Sequence, residues 1–162
     1  MDRHEQVSEF PVTGGSVEDV RERLLSLRPR AAAAPAAATE GLEAWTLSWR
    51  WQIERGLVGC GVTFVYVRLD LEHLQPALRS SAPAVREAWA GWMERLRKHQ
   101  AGHDAIGEQA ARAIIDALRA LPARPACIDV DIDARSTAAS VLKRFQQEDR
   151  AYEEREPNPT FP

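Results

Sequence analysis

His99 and His103 stand four residues apart in the segment His99-Gln100-Ala101-Gly102-His103. On a helix that spacing stacks both rings on one face, one turn apart. Two imidazoles so paired are the start of a zinc site, each offering a nitrogen at about 2.0–2.1 Å from the ion. Two hydrogen-bonded histidines in a core, or lining a dry cleft, have the same spacing, so H-x-x-x-H alone leaves both readings open. The surrounding residues strengthen the metal reading without deciding it. Trp89, Trp92, Leu96, Ile106, Ala110 and Ile114 share a 3.6-residue period with the pair, which puts the histidines on an inward stripe. Burying two imidazoles there without partners is costly. His4 and His73 stand alone in polar stretches and read as solvated or edge residues.

The helix that carries the pair runs from Pro83 to Leu121, with Gly91, Gly102 and Gly107 as points of bending or splitting. A second helix, about Ala134 to Glu154, shows a stripe of Val141, Leu142, Phe145 and Tyr152 before Pro157 and Pro159 end it. Taken as an antiparallel pair joined near 122–133, the helices set Ala151 level with His103, so the stretch Glu148 to Glu156 passes the histidines. Asp149, one turn before Tyr152 on the inward stripe, is the first choice for a third metal ligand, ahead of Glu153 and Glu156. Trp92 and Tyr152 are the expected cleft aromatics. The plainer reading of the acidic run is a solvated helix end.

Upstream, Ser16 and Asp19 form a capping box that opens a helix ending at Pro29. The Ala/Pro-rich stretch 30–40 reads as a loop because Pro35 interrupts it. Leu42 to Glu54 alternates Trp45, Leu47, Trp49, Trp51 and Ile53 with polar residues, the period of a strand with one buried face. Its tryptophans suit a core more readily than an aromatic ligand platform. Glycines at 56, 59 and 61 mark a turn. A second strand, about Cys60 to Glu72, turns Arg68, Asp70 and Glu72 outward and pairs with the first as an antiparallel hairpin. The fold class is therefore α+β: an N-terminal helix and antiparallel strands packed on two long C-terminal helices. A single domain spans 1–162, with 156–162 as a tail.

The chain of 162 residues is 44% hydrophobic and 28% charged, the balance of a packed domain. A net charge of -3 leaves no basic footprint for nucleic acid. No apolar run reaches bilayer length, so no membrane partner is expected. The first residues lack an apolar signal core, so the sequence as written reads as cytoplasmic. Cys60 and Cys127 have no CxxC spacing and are either two buried thiols or one long-range disulfide.

Taken together and in order, several segments resemble a bacterial domain-of-unknown-function family described as predicted secreted zinc-dependent proteases. They are Phe10-Pro11-Val12-Thr13-Gly14, the run Ala44-Trp45-Thr46-Leu47-Ser48-Trp49-Arg50-Trp51, Cys60, Trp92, Leu96, the His99–His103 segment, Cys127 and Tyr152. The resemblance implies a zincin-like active-site helix, zinc as the only cofactor, secretion, and a Cys60–Cys127 disulfide. Two departures bear on function. Family members read H-E-x-G-H where this chain has Gln100, and they carry T-x-H-G after the tyrosine where Tyr152 is followed by Glu153-Glu154-Arg155-Glu156-Pro157-Asn158.

In H-E-x-x-H enzymes the glutamate takes a proton from the attacking water. Glutamine keeps the shape without the basic oxygen, and losing a positioned general base typically costs about 10²–10⁴-fold in rate. Three readings of His99, Gln100 and His103 follow. One is a degenerate, metal-binding hydrolase relative. Another is a repurposed cleft that binds a small molecule or runs a metal-free cyclisation or isomerisation. The third is a peptide-binding module without chemistry.

Overall fold

The computed structural model describes residues 1–27 and 43–162. The helix end at Pro29, the 30–40 loop and the strand start at Leu42 lie outside the described residues. The elements are β1 (Asp2–Thr13), α1 (Val17–Leu27), β2 (Glu43–Gly56), β3 (Gly59–Arg79), α2 (Pro83–Arg119) and α3 (Cys127–Arg155). The α+β class holds: a three-stranded sheet carries three helices, two of them long.

The hairpin forms as its alternation requires. Trp45 pairs with Leu71 and Trp49 with Val67, so the inward stripes of the two strands coincide. Gly59 closes the turn at φ +127°, where a Cβ would meet the Arg124 carbonyl oxygen at 2.5 Å. Only glycine suits that conformation and that approach.

One strand was not expected. β1 runs parallel to β3, pairing Val7 with His73 and Val12 with Leu78, so the sheet order is β1-β3-β2 and β3 continues to Arg79. The polar alternation of Asp2 to Glu9 belongs to an exposed edge strand, which presents few apolar residues to reveal it. Only at Phe10 and Val12 does it turn inward, to pack with α1 and α2.

The capping box is present: the Asp19 amide donates to Ser16 Oγ at 3.1 Å and the Ser16 amide donates to Asp19 Oδ2 at 3.0 Å. Hydrogen bonding from Ser16 holds the Asp19 carboxyl below the usual carboxylate range. α2 is one continuous helix of 37 residues; none of its glycines breaks it. It lies on the inner face of the sheet, where Gly107 lets the Trp45 ring approach to 3.1 Å of a Cβ position.

α3 begins at Cys127, earlier than the expected Ala134, and its first residue is tied to β3 by the Cys60–Cys127 disulfide, with a Cα–Cα distance of 5.0 Å. Reciprocal backbone hydrogen bonds between Cys60 and Arg124, at 2.7 and 2.9 Å, flank the bridge. The non-helical end, expected as a tail, folds back: Phe161 is buried against Trp89 and Trp92. Among the described residues no helix is long and apolar enough to cross a membrane.

The disulfide spans a sequence separation of 67, for which loop-closure entropy predicts a stabilisation of about 4 kcal/mol. Denaturant unfolding of the oxidised protein should therefore need markedly more urea than that of the Cys60→Ala/Cys127→Ala variant. Coincident midpoints would show that the bridge contributes nothing.

Candidate metal centre

α2 and α3 each present a pair of polar residues four apart, and the antiparallel packing brings the pairs face to face. His99 and His103 come from α2, Asp149 and Glu153 from α3. Both histidines and Asp149 are buried, and Glu153 is half-buried.

Three atoms converge. His99 Nε2 lies 3.2 Å from His103 Nε2 and 3.1 Å from Glu153 Oε2, and His103 Nε2 lies 3.3 Å from the same oxygen. Ligands bound tetrahedrally at zinc distances lie about 3.3–3.4 Å from one another. The triangle thus has nearly the dimensions of one face of a zinc tetrahedron, and its donor set of two imidazoles and a carboxylate is one zinc accepts. Among the described residues these three form the group of histidine, cysteine and acidic side chains able to hold a metal ion.

The structure assigns Asp149 a place other than the expected third ligand. Its Oδ1 accepts a hydrogen bond from His103 Nδ1 at 2.7 Å, on the opposite side of the ring from the converging nitrogen. A carboxylate there fixes the ring orientation and leaves the Nε2 lone pair facing Glu153. Glu153, ranked behind Asp149 in the sequence, supplies the third atom. The helical turn between them decides it: Asp149 meets the outer nitrogen of His103, and Glu153, one turn on, reaches both inner nitrogens. The available signal was the matched four-residue spacing of the two pairs.

Burial pushes the His99 pKa below its ordinary value, and His103 adds to that shift while the Glu153 carboxylate opposes it. Tyr152 completes the enclosure. It stacks on His99 at 5.4 Å between centroids, meets His103 edge-on at 4.9 Å, and donates its hydroxyl to the His99 carbonyl at 3.2 Å. Gly102 makes room for it, because a Cβ at 102 would collide with the Tyr152 ring and hydroxyl.

Gln100 is 4% exposed, and its Nε2 finds no acceptor among the described residues. Trp92, expected in the cleft, lies in the apolar cluster with Val85, Leu96 and Phe161, and its Nε1 donates to the Pro159 carbonyl at 2.8 Å. His4 is exposed as expected, whereas His73 is only 6% exposed and is no edge residue. Its Nε2 faces Asp104 Oδ1 at 3.5 Å and Glu5 Oε1 at 3.8 Å. Strand parity carried that signal: with Arg68, Asp70 and Glu72 outward, residue 73 must face in.

The Gly102–Tyr152 contact makes a sharp test. Gly102→Ala should destabilise the fold by about 1–3 kcal/mol, as overpacking does, and should displace the Tyr152 ring from the histidines. A variant with an unchanged denaturation midpoint and unchanged Tyr152 environment would refute the contact.

No curated protein and no solved structure shows significant similarity to the chain. A family model described as a bacterial protein of unknown function, DUF922, matches residues 7–158. That span takes in β1 from Val7 onward, the other two strands, both long helices and every residue of the candidate centre, and the chain belongs to this bacterial family.

Proposed function

We propose that the protein is a degenerate zincin-like metallohydrolase relative that keeps a zinc-binding centre and has lost efficient peptidase chemistry. The observation that carries this reading is the triangle of His99 Nε2, His103 Nε2 and Glu153 Oε2, with sides of 3.1 to 3.3 Å. Three atoms of that kind share so small a space favourably when a cation sits against them. Zinc, when bound, supplies Lewis acidity and an open coordination position. Asp149 orients His103, as a carboxylate behind a ligating imidazole does. Glu153 stands in for the histidine that relatives carry beyond the tyrosine.

Gln100 occupies the place of the general base and cannot serve as one. Its carboxamide has no oxygen of useful basicity, so it neither accepts nor returns a proton. Its buried amide hydrogens, lacking an acceptor among the described residues, suit a peptide or small-molecule ligand that brings a carbonyl or carboxylate oxygen. The disulfide favours an oxidising compartment over the cytoplasm, in line with the secretion predicted for relatives.

A metal-free reading has one observation in its favour. His103 lies between two carboxylates, Asp149 at 2.7 Å and Glu153 at 3.3 Å, which would hold and orient an imidazole working as an acid or base. Elemental analysis of untagged protein separates the two. The zinc reading predicts one ion per chain, loss of binding in His103→Ala and Glu153→Ala, and a 10- to 100-fold weaker affinity, about the second-shell cost, in Asp149→Ala. A protein that stays metal-free after zinc dialysis would refute it and leave the acid–base cleft.

Peptide hydrolysis tests the role of residue 100. The zinc-loaded protein should turn over peptides at background rate, and Gln100→Glu should raise that rate by about 10²-fold or more. Equal rates would mean that Gln100 is not what limits the chemistry.

A further inference from the structure

The segment after α3 touches the candidate centre at one atom. The Asn158 backbone amide donates to Glu153 Oε1 at 3.2 Å, while the other oxygen of that carboxylate faces both histidines. A free glutamate side chain samples many rotamers, and its carboxylate can turn either edge toward the imidazoles. A donor fixed on one oxygen removes that freedom.

The donor is itself held in place. α3 ends at Arg155, and Pro157 and Pro159 keep the following chain extended. Trp92 Nε1 donates to the Pro159 carbonyl at 2.8 Å. Two residues on, Phe161 is buried between Trp89 and Trp92, with ring centroids 6.0 and 5.6 Å away. Arg21 Nε donates to the Pro162 carbonyl at 2.9 Å, from α1. Three contacts beyond Asn158 thus fasten six residues of irregular chain across the N-terminal half of α2.

We propose that residues 157–162 form a positioning strap for the metal centre: the Asn158 amide orients Glu153 as the third ligand, and Phe161 is the anchor that holds that amide in place. The inference rests on the zinc reading above. It assigns positioning roles to two residues that touch no metal, through a segment that composition alone marks as a loose tail. It also places α1 and the aromatic cluster, remote from the histidines, in control of the geometry of Glu153.

The full-length chain tests it by zinc affinity, measured with Zn²⁺ alone in competition with a chromogenic chelator. Asn158→Ala keeps the backbone N–H and should bind like the parent. Asn158→Pro removes that donor, fixing φ at 158 as well, and should bind about 10- to 100-fold more weakly, the usual second-shell cost. Phe161→Ala should show a loss of the same order, and Phe161→Leu should largely restore binding. Far-UV circular dichroism of the zinc-free variants should match the parent, and the visible bands of Co²⁺-loaded Asn158→Pro should shift as the carboxylate reorients. Parent-like affinity and Co²⁺ spectrum in both Asn158→Pro and Phe161→Ala would overturn the strap while leaving the zinc reading intact. A parent that binds no Zn²⁺ would overturn the zinc reading and the strap with it.

Discussion

Everything at the candidate centre depends on the seating of α3 against α2. Each helix contributes two polar residues four apart to a shared interface, and an antiparallel pair brings such residues into register only when the axial offset is right to within a turn. Here the offset sets Asp149 on the outer nitrogen of His103 and Glu153 on the inner nitrogens of both rings. A slip of one turn would break the match of each carboxylate with its ring nitrogen, and an unsatisfied buried polar group costs about 1–3 kcal/mol. The interface is thus specified as much by its polar matches as by the Ile106, Ala110 and Phe145 packing beside them.

The rest of the fold enforces that offset from both ends. At the start of α3 the Cys60–Cys127 bridge ties the helix to β3, whose central position in the sheet gives α2 its bed. At the other end, the Phe161 anchor ties the chain after α3 to α1 and the first half of α2. Along α2 the histidines fall between two apolar clusters, one containing Leu96 and the other Ile106. The polar centre is enclosed by packed side chains, and that burial pushes the His99 pKa below its ordinary value.

Periodicity made much of this legible. The alternation at Trp45 to Ile53, the Ser16–Asp19 box and the long stripe through His99 and His103 gave β2, the start of α1 and α2, because each pattern reflects one buried face. The same logic failed where burial is slight: β1 is an edge strand whose polar residues look like coil. Phe161 sits among prolines and carries no period, so its docking was invisible. The choice between Asp149 and Glu153 was out of reach for a different reason. Counting along two helices fixes their level to about a turn, whereas selecting a ligand depends on which ring nitrogen each carboxylate meets.

Whether the two histidines and Glu153 hold a metal together decides the nature of the centre. X-ray absorption at the zinc edge of the loaded full-length protein addresses that directly. The prediction is a low-coordinate shell of nitrogen and oxygen at about 2.0–2.1 Å, with outer-shell scattering from two imidazoles that the His103→Ala variant, which no longer holds the ion, does not show. A spectrum of fully hydrated zinc, or one unchanged by that substitution, would contradict it.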